Sequence, residues 1–430
     1  MKFSAALDVT TVAHEADDEV TILLELQAPD APRTDRSPAA LQVVLDRSGS
    51  MSGPPLEGAK RALAETVARL QPSDVFGLVT FDDSAQVVVP AGPLTDKEGV
   101  LARIAAISPG GMTDLSSGYL RGLRELQRGA QTAGISGGTV LVVSDGHVNG
   151  GIRDIDEFAS ITAKAASKSI TTSTLGYGDG YDETLLAAIA RAGSGNHVFA
   201  SNPDAAGAAI GAEVDGLLSK SAQAVTLTVT YEQTVQTLSL YNDLPAHQIG
   251  DGAVMIEIGD LYADEERKLL LRMAVSGLAD LGLAQIASLE LAYVDTTALT
   301  EHTVTLPITV NVVPGDELGD RVPDPTVETE KLFQRAQAEK LRASEAYEAG
   351  DTGSARAFLD ASSDLLRDAL DLAPAGSAPM VAAGLEENDE LAVYACEAPP
   401  SFMSKQTRDS YHAYNRKSGR ARRRFNRQPE

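Results

Sequence analysis

The stretch Leu41–Gly53, LQVVLDRSGSMSG, begins as an uninterrupted apolar run and ends in a carboxylate, several hydroxyls and two glycines. The apolar half is typical of a β-strand that is covered on both faces. The polar half leaves four interpretations open, namely a metal site, a phosphate site, a nucleophile or an ordinary turn. The rest of the chain has to decide among them.

Composition narrows the protein class. The chain has 430 residues, a hydrophobic fraction of 43%, a formal net charge of −25 and a single cysteine, Cys396. This length predicts two or three domains with cores of their own. One cysteine allows no intramolecular disulfide, and no apolar run reaches signal-peptide or membrane-spanning length, so we predict a soluble, cytoplasmic protein. The negative charge disfavours nucleic acid and anionic membranes as partners.

The charge is unevenly distributed, because the segment from Lys405 onward is rich in arginine and lysine. Such a tail could bind nucleic acid through the phosphates. We favour the alternative that it is a flexible arm, docked on the acidic body or on a partner protein.

Between residues 38 and 221, apolar strand-like runs alternate with segments of helical period. This alternation predicts an α/β domain with a doubly wound, mostly parallel sheet. The strand at 85–90 follows the one at 75–81 so closely that the two must form a hairpin, which gives one antiparallel edge. The predicted strands are 41–46, 75–81, 85–90, 138–145, 170–178 and 196–201.

The flanking sequences have a period of two, which is typical of half-buried antiparallel strands. We predict one β-sandwich domain built from residues 1–37 and 222–314, with the α/β domain inserted between its strands. Two helical patterns separated by the sequence AGDTG predict a helical hairpin at 325–373. Small and polar residues then suggest a linker and a basic C-terminal tail at 374–430.

Polar side chains follow the predicted parallel strands at their carboxyl ends, where ligands bind in doubly wound sheets. Asp46, Ser48 and Ser50 follow the first strand, Asp145 follows the fourth, and Thr113 precedes a helix. These are hard oxygen donors, with no histidine or thiol pair at ligand spacing. The set favours Mg²⁺, with Mn²⁺ or Ca²⁺ as alternatives, over zinc or copper.

The motif DRSGSMS resembles the DxSxS signature of the von Willebrand factor type A (VWA) domain, and Thr113 and Asp145 match that family's other elements. The resemblance implies a metal-ion-dependent adhesion site. It implies that Ser48 and Ser50 bind the metal directly, Thr113 directly or through water, and Asp46 and Asp145 largely through water. The flanking strands resemble the arrangement in inter-alpha-trypsin-inhibitor heavy chains and similar bacterial proteins.

These features predict a protein-binding module rather than an enzyme. Few direct ligands are charged, so a bound metal would keep positive charge for an Asp or Glu of a partner protein. The alternative is a metal-dependent hydrolase, disfavoured because an aspartyl-phosphate enzyme would have Asp where Ser48 stands. We interpret Asp114 as a helix-start carboxylate, His147 as a solvent-facing loop residue, and Asp82 and Asp83 as turn residues rather than a second metal site. The oligomeric state stays open.

Overall fold

The computed structural model describes residues 1–29, 36–178, 180–296, 298, 300–319 and 321–415. It confirms the predicted fold class, in which an α/β domain is inserted in a β-sandwich and followed by helices. Within the described residues, no helix combines the length and the hydrophobicity that a bilayer crossing requires.

The inserted domain has a six-stranded sheet in the order β6-β5-β4-β7-β8-β9, parallel except for the edge strand β6. Strand order reverses at β4, because β5 lies on one side of it and β7 on the other. The strands are β4 Ala40–Asp46, β5 Val75–Phe81, β6 Ala85–Pro93, β7 Gly138–Ser144, β8 Ile170–Tyr177 and β9 Ser194–Ala200. Every residue of β4, β5, β7 and β8 is buried, which explains the mostly apolar sequences of β4, β5 and β7.

Helices cover both faces of this sheet. One face packs against α1, α2 and α6, and the other against α3, α4 and α5, when the helices are numbered along the chain. They are α1 Pro54–Arg69, α2 Lys97–Ala105, α3 Leu115–Ala133, α4 Ile155–Ala166, α5 Glu183–Ala192 and α6 Pro203–Leu218. This double cover leaves the ends of the parallel strands as the open edges of the domain.

The sandwich consists of a four-stranded sheet, β1-β3-β14-β11, and a six-stranded sheet, β12-β13-β10-β15-β16-β2. All pairs are antiparallel except the short β16–β2 pair. The strands are β1 Lys2–Leu7, β2 Thr11–Ala13, β3 Asp18–Gln27, β10 Lys220–Tyr231, β11 Val235–Leu240, β12 Ala246–Gly250, β13 Ala253–Tyr262, β14 Glu266–Val275, β15 Gly282–Asp295 and β16 Thr300–Val313. Because β3 pairs with β14, both flanks of the insertion share one core.

The Asp260 carboxylate of β13 links the sandwich to β8 of the inserted domain. Lys220 Nζ lies 2.6 Å from Asp260 Oδ2, and the Thr171 hydroxyl of β8 donates to the same oxygen at 2.7 Å. Burial alone would raise the pKa of Asp260, but the attraction of Lys220 together with hydrogen bonds from Lys220, Thr171 and the Ala224 N–H lowers that pKa. One residue separates α6 from β10, so the covalent connection from the inserted domain back to the sandwich is short as well.

Four helices follow the sandwich, which corrects the prediction of a hairpin with a linker and tail at 374–430. The helices α7 Pro325–Glu348 and α8 Thr352–Leu372 form the predicted hairpin, and α9 Ala378–Tyr394 and α10 Pro400–Asn415 occupy most of the predicted linker and tail. In α9 the buried residues Val381, Gly384, Asn388 and Leu391 recur at helical spacing. The small residues thus build a packed helix face rather than a linker.

The basic segment is also corrected in part. Residues 405–415 belong to α10, which packs against α7 and β9 rather than forming a flexible arm. Arg408 is buried with its guanidinium 3.2 Å from Glu183 of α5 and 2.9 Å from Glu348 of α7. The remaining basic residues, at 416–430, lie outside the described residues. Helix α10 therefore ties the helical region to the inserted domain through buried charge.

We predict that Arg408→Ala lowers the free energy of unfolding by about 3 kcal/mol, because it leaves the buried Glu183 carboxylate without its main counter-charge. Burial already raises the pKa of Glu183, and Arg408 opposes that rise. In the variant the carboxyl takes up a proton at higher pH, so the loss in stability should shrink between pH 7.5 and pH 5.

Urea-induced unfolding of variant and wild type at both pH values tests this prediction. The matched control is Arg367→Ala, which removes a solvent-exposed pair with Asp364 and should cost less than about 0.5 kcal/mol. Equal effects of the two substitutions would contradict the role given to Arg408.

Candidate metal centre

The five predicted site residues lie together at the carboxyl-end edge of the parallel sheet. Asp46 is the last residue of β4, and Asp145 directly follows β7. Ser50 lies in a short 3₁₀ turn, Gly49–Met51, and Ser48 directly precedes that turn. Thr113 comes just before the start of α3. All are buried except Ser50, whose exposure marks the solvent side of the cluster.

Hydrogen bonds connect four of these side chains. Ser50 Oγ donates to Asp145 Oδ1 at 2.8 Å, and the hydroxyl oxygens of Ser48 and Ser50 are 3.1 Å apart. The backbone N–H of Ser48 donates to Asp46 Oδ1 at 2.8 Å. These bonds bring the side chains of Ser48, Ser50 and Asp145 together and hold the Asp46 carboxylate against the Ser48 backbone.

Gly146 shows where the donors converge. A β-carbon placed on this glycine would lie 3.4 Å from both Ser50 Oγ and Thr113 Oγ1, and 3.9 Å from Asp46 Oδ2. Oxygens from the β4 turn and from the loop of Thr113 therefore border one point beside Gly146, and glycine at 146 leaves that point open. Because glycine has no side chain, this position keeps space that an ion and its waters would need.

The surroundings of the two carboxylates destabilise their ionised forms. Burial is the main cause that raises the pKa of Asp46 above its ordinary value, opposed by hydrogen bonds from Ser144 and Ser48. Burial, with a contribution from the Asp46 charge, raises the pKa of Asp145 to about 6. Desolvated carboxylates without a counter-charge favour uptake of a cation, so a metal ion bound here would compete with protons for these oxygens.

Backbone hydrogen bonds hold the loops in position. Gly49 N–H donates to Gly111 O at 3.0 Å, and Gly110 N–H donates to Arg47 O at 2.6 Å, which joins the β4 turn to the loop of Thr113. The Arg47 guanidinium also lies 2.6 Å from Asp82 Oδ2 at the β5–β6 turn. The site is therefore preorganised by its surroundings.

Two positioning residues were missed by sequence reasoning. Ser144 Oγ donates to Asp46 Oδ2 at 2.6 Å, and Asn149 Oδ1 accepts from Thr113 N–H at 2.8 Å. The one signal for Ser144 was a hydroxyl residue closing an otherwise apolar strand. For Asn149 the sequence held no signal beyond its place in the loop after Asp145.

The other candidate residues lie where the sequence interpretation put them. Asp114 caps α3 by accepting from Ser117 N–H. Asp82 pairs with Arg47, Asp83 Oδ1 accepts from Met112 N–H at 3.0 Å, and His147 is exposed. A cap for α1 by the DRSGS hydroxyls is absent, since Gly53 occupies its N-cap without a side-chain bond. The hydroxyls are thus free of that turn role.

The donor set suits a hard divalent cation. It combines two carboxylates with three hydroxyls, and in the described part of the chain no group of three or more His, Cys, Asp or Glu side chains forms a metal cluster. Oxygen-only donors match Mg²⁺, Mn²⁺ or Ca²⁺ and not a soft metal.

The family model of the von Willebrand factor type A domain matches residues 41–208. The inserted domain is a VWA domain. An uncharacterized protein of Synechocystis is 27% identical to this chain over 307 residues, covering 68% of this chain and 70% of that protein. The human inter-alpha-trypsin inhibitor heavy chain H3 is 26% identical over 170 residues, and that match covers only 19% of its length.

Two solved structures share the fold beyond the VWA domain. A von Willebrand factor type A protein from Catenulispora acidiphila aligns over 96% of both chains with a TM-score of 0.73 at 16% identity. The ArnB paralog from Sulfolobus acidocaldarius aligns over 95% of this chain with a TM-score of 0.65 at 15% identity. The combination of sandwich, inserted VWA domain and C-terminal helices is therefore a recurring architecture.

We predict that Gly146→Ala weakens divalent-cation binding without lowering the stability of the metal-free protein. The added methyl group would sit at ordinary van der Waals distance from the surrounding oxygens but would crowd an ion and its waters. Gly146 is also outside the left-handed backbone region, so alanine adds no strain.

Calorimetric titration with Mg²⁺ and a thermal melt in chelator test this prediction. Gly92→Ala is the matched control, because a β-carbon there would meet no atom within 4 Å. Unchanged Mg²⁺ affinity in Gly146→Ala would place the cation elsewhere.

Proposed function

We propose that this protein is a divalent-metal-dependent protein-binding module, which captures an acidic side chain of a partner protein at the site of Asp46, Ser48, Ser50, Thr113 and Asp145. The observation behind the proposal is the convergence of the Asp46, Ser50 and Thr113 oxygens beside Gly146, with Ser50 hydrogen-bonded to Asp145 and close to the Ser48 hydroxyl. Doubly wound sheets bind their ligands at this edge, and in this protein the edge carries oxygen donors that suit a cation.

We assign the cation as Mg²⁺, with Mn²⁺ and Ca²⁺ as alternatives. Hydroxyls supply most of the direct ligands in this proposal, so the bound ion would contribute residual positive charge toward solvent. Ser50 supports it, since it is the exposed member of the set and lies at the solvent side of the cluster.

The proposed partner presents Asp or Glu. Its carboxylate would replace a water at the site, and loss of that water strengthens a charge-assisted contact at the centre of an interface. The net charge of −25 opposes an acidic partner at long range. Contacts around the site therefore have to contribute to recognition alongside the cation.

The proposal includes the absence of catalysis. The Ser50 hydroxyl donates to Asp145, and in the described residues no histidine accepts a hydrogen bond from Ser48 or Ser50. The site thus lacks the arrangement that activates a serine nucleophile. A cytoplasmic location is also proposed, supported by an exposed, unbridged Cys396.

The test is affinity capture from native lysate with the full chain in Mg²⁺, repeated with chelator and with Asp46→Ala. We expect a partner that is recovered only by wild-type protein with metal, because both changes remove the cation. Calorimetry should show that Asp46→Ala has lost Mg²⁺ binding while a melt in chelator shows a folded protein.

Asp156→Ala, which removes an exposed carboxylate at the first turn of α4, is the matched control and should capture normally. Identical captures under all conditions contradict the proposal. Metal-dependent turnover of phosphate or ester substrates would favour the hydrolase instead. Salt-sensitive nucleic-acid binding that survives Asp46→Ala and disappears on removal of residues 416–430 would favour the basic tail, and this deletion leaves α10 intact.

A further inference from the structure

We propose that Met112 is a specificity-determining residue, which contacts a large apolar side chain flanking the acidic residue of the partner. This inference deepens the proposed function and rests on it. The donors lie on three loops, residues 47–53, 108–114 and 145–154, which we call the donor loops. Within them Met112 is the most exposed large apolar side chain, with 58% of its surface accessible.

Met112 adjoins a predicted metal ligand. It directly precedes Thr113, whose side chain points to the open centre at Gly146. The two methionines of the surrounding region differ sharply, because Met51 is fully buried in the core while Met112 faces solvent. The place of Met112 beside the polar site makes this side chain available to a bound partner, and methionine adapts well to apolar surfaces of varied shape.

The backbone on both sides of this side chain is held. Met112 N–H donates to Asp83 Oδ1 at 3.0 Å, Thr113 N–H donates to Asn149 Oδ1 at 2.8 Å, and Gly111 O accepts from Gly49 N–H at 3.0 Å. Only the side chain of Met112 has to be ordered on binding. A preorganised apolar contact of this kind loses little entropy when the partner arrives.

The charge near Met112 also favours an apolar partner residue. The exposed Asp83 carboxylate is bonded to the Met112 backbone, so it lies beside this side chain and would repel a second acidic group there. Asp82, a little deeper, already has Arg47 as its counter-ion. An apolar side chain is therefore favoured over a second acidic one next to Met112.

Chain geometry limits where the partner's apolar residue lies. Consecutive Cα atoms are about 3.8 Å apart, and residues Thr113 and Met112 are neighbours in sequence. A partner segment with its acidic side chain at the centre reaches Met112 with a residue one or two positions away. The recognised feature is thus an Asp or Glu with a Leu, Ile, Met, Phe or Tyr within two positions.

The experiment is selection of a random peptide library displayed on phage against the full chain in Mg²⁺. Wild type should enrich peptides with an acidic residue and a large apolar residue within two positions of it. Met112→Ser should keep the acidic enrichment and lose the apolar one, and selected peptides should bind Met112→Ser about tenfold more weakly than wild type. Leu283→Ser, on the far sandwich strand β15, is the matched control, since it removes a side chain that is 84% exposed.

The outcomes separate this inference from the function beneath it. Equal apolar enrichment on wild type and Met112→Ser overturns the role of Met112 and leaves the metal-dependent binding standing. Acidic enrichment that persists on Asp46→Ala or in chelator overturns the proposed function itself. Equal loss in Leu283→Ser and Met112→Ser also overturns the inference, because it would indicate nonspecific stickiness of exposed apolar side chains.

Discussion

The parallel pairing of β4 with β7 is the constraint on which the site depends. Their register pairs Leu45 with Val143, so Asp46 and Ser144 come next to each other and Asp145 follows one residue later. The 2.6 Å bond from the Ser144 hydroxyl to Asp46 is a direct result of this register. A shift by one residue would turn the side chains of Asp46 and Ser144 to opposite faces of the sheet and break this bond. The rest of the domain holds this pair of strands in register.

The carboxylates show the cost of that arrangement. Burial raises the pKa of both Asp46 and Asp145, so the metal-free protein holds charge where its surroundings disfavour it. Hydrogen bonds from serine hydroxyls and backbone N–H groups offset part of this cost, while the core beneath the loops keeps them from relaxing. A functional site is commonly the place where a fold accepts such a local loss of stability. Here it leaves oxygen donors oriented before any ion arrives.

The helical region is connected physically to this edge of the sheet. Lys405 of α10 lies with Nζ 3.4 Å from the Tyr181 carbonyl oxygen and 4.6 Å from the centre of its ring. The neighbouring residue Gly180 packs against the Asp145 carbonyl, since a β-carbon there would come within 3.1 Å of it. Together with the Arg408 ion pairs and the hydrogen bond from Thr171 to Asp260, these contacts make the sandwich, the VWA domain and the helices a connected unit.

The alternation of strands and helices, the insertion of one domain in another and the grouping of five oxygen-bearing residues at one edge of the sheet could be predicted from the sequence. These features depend on local patterns: apolar periodicity, turn residues and polar groups at strand ends. The local patterns do not reveal that α9 and α10 are packed helices or that β1, β2 and β12 complete the sheets. They also do not reveal that Ser144 and Asn149 position the donors. Short edge strands and small-residue helices form because of partners distant in the sequence. Likewise, burial of Lys405 and Arg408 follows from the acidic residues they meet, which a charge pattern along the chain does not reveal.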